Sequence, residues 1–266
     1  MKFRIAVVQF KIKQFSPEDN LKKAEEFTKK AAYSKAQVIV FPEDFITGPI
    51  MKKKKFVDFN GKYIRHFKKL AKKYSIDIVS GSWIEGDTRG WYNTSYYIDR
   101  SGKIKGKYRK INLWLGERSY LTPGNKISVF NTKFGRAGLI ICWDLAFSEI
   151  FRKMVNMGVR IVYCPSLWYL TYKGKIWKNY AEKRHVDSLC VSRAFENEII
   201  LVYCNVSGKV KFSEFALGRS QITVPFIGPL KRLEHNKEEM FIQEVDMTIL
   251  KEAEKSYNTR EDLKKR

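Results

Sequence analysis

Three polar residues each stand at the end of a strand-like run. "VIVFPEDF" (38–45) ends in a segment carrying Glu43, "KYRKINLW" (107–114) carries Lys110, and "LIICWD" (139–144) carries Cys142. A carboxylate, an amine and a thiol that met in one place could make a working nucleophile. The carboxylate would take the thiol proton, and the ammonium would stabilise first the thiolate and then an oxyanion. Strand ends and the loops beyond them are where open α/β folds hold their chemistry. Taken singly, each residue also has an ordinary structural role. Glu43 could be a solvated loop acid, Lys110 one lysine among many, and Cys142 a small buried apolar group. Spacing alone does not bring the three together. A Cys142–His185 pair is the competing thiol arrangement, but "EKRHVDSL" (182–189) reads as the middle of a helix.

Several other chemistries leave no trace. The chain has no GxSxG for a serine nucleophile elbow and no GxGxxG, and "GKIKGK" (102–107) lacks the spacing and the Ser/Thr of a phosphate-binding loop. Cys142, Cys164, Cys190 and Cys204 are widely spaced, as are His66, His185 and His235, so neither a disulfide scaffold nor a structural metal is expected.

The elements that must position these residues alternate between strands and helices. "FRIAVVQF" (3–10), "AQVIVF" (36–41), "IDIVSGSW" (76–83), "GRAGLIIC" (135–142), "VRIVYC" (159–164) and "EIILVYCNV" (198–206) read as strands, with two more near 217–225 and 239–246. "NTSYYIDRSGKIKGKYRK" (93–110) reads as a hairpin turning at Ser101-Gly102. Ser16 can cap a helix over 16–33 with Pro17 in its first turn and Leu21, Ala24, Phe27 and Ala31 on one face. A basic helix near 60–74, a helix over 148–158 closed by Gly158, and a long helix near 174–196 complete the set. No linker and no internal repeat divides the chain, so it reads as a single α/β domain over 1–266, with its core at about 3–246 and a C-terminal tail at 247–266. Some strands alternate polar and apolar residues and others are apolar throughout, which suits a sheet packed on another sheet as well as on helices.

Fifty-one basic residues stand against 28 acidic ones, a formal charge of +23. Such a surplus attracts nucleic acid or anionic surfaces through charge alone. The lysines are spread over "MKKKKF" (51–56), "KKLAKKY" (68–74), "GKIKGKYRK" (102–110) and the final "EDLKKR", and no nucleic-acid-binding motif accompanies them. They read as a solvated surface. The first residues lack a signal-peptide cleavage site and no stretch is long and apolar enough to span a bilayer, so a cytoplasmic protein is expected.

The quoted segments, taken in order, resemble the carbon–nitrogen hydrolase (nitrilase) superfamily. "FPEDF", "YRKINL" and "CWDLAFSE" match its three motifs, and "ERSYLTPG", "SRAFENEIILVYCN" and "LGRSQITVP" match segments between and beyond them. The likeness runs from about residue 3 to 246. It implies a four-layer αββα sandwich that pairs into a homodimer or a higher homo-oligomer, with no metal or organic cofactor. It implies Glu43 as general base, Lys110 as stabiliser of the oxyanion and intermediate, Cys142 as nucleophile, and Glu117 as a second glutamate that orients the lysine or the substrate.

The implied activity is hydrolysis of a non-peptide C–N bond in a small linear amide or N-carbamoyl amine, through a cysteine thioester and with release of ammonia. Trp143 and Trp168, which follow the nucleophile strand and the next one, are candidate walls for the substrate, while Asp144 is expected to fix the turn. The chain departs from the family pattern at Ala146, where amidases often carry a basic residue, and at Ser148, where proline is common. A true nitrilase, or a basic protein that binds nucleic acid or another anion on a hydrolase-like fold, are the alternative readings.

Overall fold

The computed structural model describes residues 1–170, 181–211 and 214–264. Two six-stranded sheets lie face to face, with helices on both outer surfaces, giving the expected αββα sandwich. Chain order begins β1 (Lys2–Lys11), α1 (Pro17–Tyr33), β2 (Val38–Val40), α2 (Lys62–Tyr74), β3 (Asp77–Asp87), β4 (Gly90–Ile98) and β5 (Ile104–Arg109). It continues β6 (Ser128–Thr132), β7 (Gly135–Leu139), α3 (Ser148–Asn156), β8 (Ile161–Ser166), α4 (Glu182–Glu196) and β9 (Ile200–Ser207). A short pair, β10 (Lys209–Lys211) and β11 (Glu214–Phe215), precedes β12 (Gln221–Val224), β13 (Gly228–Arg232), β14 (Glu239–Asp246), α5 (Thr248–Ser256) and α6 (Thr259–Lys264).

The first sheet has the order β14-β1-β2-β3-β4-β5 and the second β6-β7-β8-β9-β12-β13. Reading across either one, the pairings run antiparallel, parallel, parallel, antiparallel, antiparallel. The two sheets are therefore topological copies, although the sequence shows no repeat. They fuse at one point, where Phe10 and Lys11 of β1 pair in parallel with Val206 and Ser207 of β9.

The period-2 alternation of a strand explains why β1 is apolar on both faces. Phe3, Ile5 and Val7 point into the core between the sheets, with Val38, Val40, Val79, Tyr97 and residues of β7 and β8. Ala6, Val8 and Phe10 point the other way, onto Ala24 and Ala31 of α1 and Phe67 of α2. Fully burying a side chain of this size stabilises the fold by about 1.5–3 kcal/mol, so neither face tolerates a polar residue cheaply.

Some local expectations change. Ser16 precedes α1 as expected, but its hydroxyl makes no capping bond. Asn20 pins the entry instead, donating to the carbonyls of Lys13 and Ile46. The described part of the long helix starts at Glu182, and residues 174–180 of that expectation lie outside the described residues. The segment 247–264, expected as a tail, forms α5 and α6. Leu250 joins the larger hydrophobic core, and Arg260 is buried with its guanidinium donating to the carbonyls of Val159 and Glu198. A helix of six to nine residues leaves a short periodic signal, easily overlooked in a lysine-rich terminus.

Candidate functional site

Glu43 enters from the first sheet. Beyond β2 the chain turns past Gly81 of β3, which has φ +65° and lies so close that an added Cβ would sit 2.2 Å from the Pro42 carbonyl oxygen. Only glycine fits that position. The turn buries the Glu43 carboxylate, 3 % exposed, among three donors. Oε1 accepts from Lys110 Nζ at 2.8 Å and from Asn93 Nδ2 at 2.9 Å, and Oε2 accepts from the Leu167 N–H at 2.8 Å.

Lys110 follows β5 and is 2 % exposed. Its backbone N–H donates to the Asn93 carbonyl and its carbonyl accepts from the Gly124 N–H, so the strand is gripped on both sides. Its ammonium also donates to Glu117 Oε2 at 2.7 Å. Glu117 opens a short 3₁₀ turn (Glu117–Ser119) and accepts from the Trp114 N–H at 2.6 Å and from Asn93 Nδ2 at 3.1 Å. One lysine thus bridges two carboxylates, and one asparagine amide donates to the same two.

Cys142 enters from the second sheet. β7 ends at Leu139, and the chain tightens into a 3₁₀ turn (Cys142–Ala146) whose first residue has φ +47°. A left-handed conformation at a cysteine costs about 1–2 kcal/mol. Asp144 holds the turn. Its Oδ2 accepts from the Ile141 N–H and the Tyr108 hydroxyl, and its Oδ1 from both the backbone N–H and the side-chain amide of Asn112. These bonds tie the cysteine turn to the end of β5, beside Lys110. Asp144 makes the turn-fixing bonds expected of it, and burial raises its pKa to about 6 against the pull of those donors.

The electrostatics follow from burial. Desolvation first, and then the charge of Glu117, raise the Glu43 pKa, while Lys110 and a hydrogen bond from the Cys142 thiol pull it down. Burial alone would lower the Lys110 pKa, but Glu117 and then Glu43 hold it well above the ordinary ammonium value. Burial and then Glu43 push the Cys142 thiol pKa well up, against Lys110 and the Leu167 N–H. The upward shift favours the neutral thiol. Such a thiol needs a base at the moment of attack, and Glu43 is placed to be that base.

All of these groups meet in a pocket of about 320 Å³ lined by Glu43, Lys110, Glu117 and Cys142 at its polar end. Both candidate tryptophans line it. Trp143 packs against Trp114 at 4.5 Å and Trp168 at 5.5 Å between ring centroids, and Trp168 also donates from its indole N–H to Glu182. Trp143 is the second residue of the turn, where backbone N–H groups lack helical acceptors. His185 is exposed on α4 and is not among the lining residues, so the Cys142–His185 alternative loses its geometry.

Asn93 and Asp44 carry no role in the sequence reading, yet both belong to the site. The signal for Asn93 was a polar residue within the aromatic strand "WYNTSYY". Asp44, at φ +50°, lines the pocket, and its Oδ1 is buried without a partner among the described residues. Burial first and then Glu43 raise its pKa well above the ordinary value. Among the described residues no cluster of three or more His, Cys, Asp or Glu could hold a metal ion, and no helix is long and apolar enough to cross a membrane.

Known proteins resemble this chain in sequence and fold. The family model described as carbon-nitrogen hydrolase matches residues 4–255. The chain is 32% identical to 2-oxoglutaramate amidase of Bacillus subtilis, over 100% of this chain and 99% of that one. It is 29% identical to omega-amidase NIT2-B of Xenopus laevis, covering 85% and 82% of the two chains. Among solved structures, Nit3 of Saccharomyces cerevisiae, a member of branch 10 of the nitrilase superfamily, superposes with a TM-score of 0.85 at 25% identity, covering 96% and 94%. The chain belongs to the carbon–nitrogen hydrolase family, and its fold is that of the nitrilase superfamily.

Proposed function

We propose that the protein hydrolyses a small linear amide through a thioester on Cys142, with Glu43 as base and acid, Lys110 and the Trp143 N–H as oxyanion donors, and Glu117 as the group that orients Lys110. One observation carries this reading. A buried ammonium bridges two carboxylates at 2.8 and 2.7 Å on the wall of the pocket that contains the thiol. A structural salt bridge gains little from such burial, because the desolvation cost offsets most of the attraction. A site that must move a proton and hold an oxyanion out of water has a use for it.

The steps follow from the placement. Glu43 takes the thiol proton as Cys142 attacks the carbonyl carbon, and the oxygen acquires negative charge facing the Lys110 ammonium. Glu43 returns the proton to the departing nitrogen, so that ammonia leaves and a thioester remains. Glu43 then takes a proton from water, which attacks the thioester and releases the acid and the thiol. Aromatic walls and a volume of about 320 Å³ suit a short linear substrate. The relatives named for 2-oxoglutaramate and omega-amide hydrolysis support a primary amide at the end of such a chain.

The test is ammonia release across a panel of short primary amides, N-carbamoyl amines and nitriles, with Cys142→Ala as the control. Release from primary amides that disappears in the variant is the expected result. Release from a nitrile and not from the matching amide would replace this reading with a nitrilase. No turnover, together with salt-sensitive RNA binding that survives Cys142→Ala, would replace it with a binding protein.

A further inference from the structure

The basic helix α2, "KYIRHFKKLAKKY" (62–74), stands apart from the site, and none of its residues lines the pocket. It carries six lysines and arginines and no aspartate or glutamate. The neighbouring α1 is mixed: Lys22, Lys23, Lys29 and Lys30 are interspersed with Glu18, Asp19, Glu25 and Glu26. A surface shaped only for solubility or for ion-pair networks intersperses the two signs, as α1 does. Like charges three or four residues apart on one helix repel each other. The pattern of α2 therefore works against the helix that carries it.

The two faces of α2 differ completely. Tyr63, Phe67, Leu70 and Ala71 are buried in the core outside the first sheet. Arg65, Lys69 and Lys72 are exposed on the other face, with Lys68 half-buried at its edge. Among the described residues these four cations have no carboxylate partner. Lys73, in contrast, pairs with Glu25 at 2.8 Å, and Lys62 rests on the Tyr63 ring at 4.7 Å. Asp58, at the start of the helix, is buried and accepts from the N–H groups of Asn60, Lys62 and Tyr63. It caps the helix and leaves the outer face without an acid.

The β4–β5 hairpin extends this surface. Gly102 at its turn has φ +77° and lies so close to α2 that an added Cβ would sit 2.8 Å from Lys72 Cε and 3.0 Å from the Lys68 carbonyl oxygen. Lys103 and Lys105, both exposed, follow that turn. The hairpin's acid, Asp99, is turned onto the Ser101 and Lys103 N–H groups. Cations thus run along a helix of about 20 Å and on to the hairpin beside it. Single-stranded nucleic acid is held by stacking on exposed rings, and a membrane by inserted apolar side chains. The outer face of α2 offers neither, since Ile64 and Tyr74 are half-buried and its other apolar residues are buried. A double helix presents rows of phosphates that cations alone can match.

We propose that the outer face of α2, with the adjoining hairpin, is a docking surface for the phosphate backbone of duplex nucleic acid, bound without regard to base sequence. Arg65, Lys68, Lys69 and Lys72 meet the phosphates, and the counterions they displace drive the association. The surface is separate from the pocket, so docking needs neither Cys142 nor amide turnover.

The experiment titrates the full chain with a short labelled DNA duplex of arbitrary sequence at a series of salt concentrations. Wild-type protein binds at low salt and releases the duplex as salt rises. Combining Arg65→Gln, Lys69→Gln and Lys72→Gln weakens binding at low salt by about tenfold or more and lowers the slope of log affinity against log salt by about 2–3. The Tm of this variant does not fall, because repulsion along α2 is relieved, and its ammonia release matches wild type. The control combines Arg152→Gln, Lys153→Gln and Lys251→Gln, which removes the same charge from exposed positions on α3 and α5 and leaves duplex binding near wild type. Equal weakening by both triple variants assigns the binding to the net charge of +23 and overturns the proposal. Absence of binding at low salt overturns it as well. Tighter binding to phosphatidylserine vesicles than to the duplex, lost in the α2 variant, replaces nucleic acid with a membrane surface. None of these outcomes bears on the ammonia-release test of Cys142.

Discussion

The two sheets repeat one strand pattern but contribute different chemistry. In the first, the turn after β2 carries Glu43, and the segment after β5 carries Lys110 and Glu117. In the second, the position after β8, which corresponds to β2, carries Leu167 and Trp168. Their backbone N–H groups donate to Glu43 and Asn205. The first strands differ as well. β1 runs on to Lys11 and pairs with β9, whereas β7 stops at Leu139 and turns sharply into Cys142. One half therefore supplies the charges and the Asn93 amide, and the other supplies the thiol and the Leu167 N–H, while aromatic residues of both line the pocket. A half-domain of either kind would have no such pocket, because Glu43 and Cys142 come from opposite sheets.

Removing the second sheet's thiol breaks this division most severely. Cys142→Ala is expected to abolish ammonia release, with a loss of about 10⁴-fold or more in kcat, while circular dichroism and Tm stay near wild type because only a small side chain is lost. A variant that kept even a tenth of the activity would show that the second sheet does not supply the nucleophile.

The first sheet's cation comes next, and here the fold suffers too. Lys110→Met leaves Glu43 and Glu117 facing each other without their shared ammonium. Breaking a buried ion pair from one side costs about 3–5 kcal/mol, so thermal melting should fall markedly along with activity. An unchanged Tm would mean that the two carboxylates are better solvated than their burial implies.

Asn93→Ala removes one donor from each carboxylate and leaves Lys110 in place. A loss of about 1–3 kcal/mol in stability is expected for the orphaned buried acceptors, with a fall in kcat of about tenfold, read by chemical denaturation and steady-state kinetics. The gentlest probe is Glu117→Gln. Glu117's charge helps to raise the Glu43 pKa, so its neutralisation lets Glu43 ionise at lower pH. With the ionised carboxylate as the base of the proposed mechanism, the acidic limb of kcat/KM should move to lower pH. Movement to higher pH would reverse the assigned coupling between the two groups.

How legible the molecule was in its sequence varied with the kind of residue. Largely apolar strands such as β1 and β8 declared themselves, since burial on both faces leaves few polar positions. The hairpin at Ser101-Gly102 was readable from its turn residues, and Asp99 indeed accepts from the Ser101 and Lys103 N–H groups there. β6, β13 and the two C-terminal helices were not read, because short elements with mixed residues produce no clear period. Glu43, Lys110, Glu117 and Cys142 stood out through ordered motifs, and the structure brings all four to one pocket. Asn93 lay inside a quoted segment without a role, since a lone asparagine in a strand does not reveal which groups its amide meets.

The sequence by itself determined the elements, their order, and the residue types available for chemistry, because periodicity, turn residues and polar interruptions are local properties of the chain. Only the tertiary structure decided that Glu43, Leu167 and Asn93 share hydrogen bonds across 124 and 50 residues of chain. It alone decided that Lys52 faces the pocket while Lys53, Lys54 and Lys55 rest on rings. The physical reason is the same in both cases. A side chain's charge is written in its type, but its partner and its desolvation exist only once the two sheets have closed on each other.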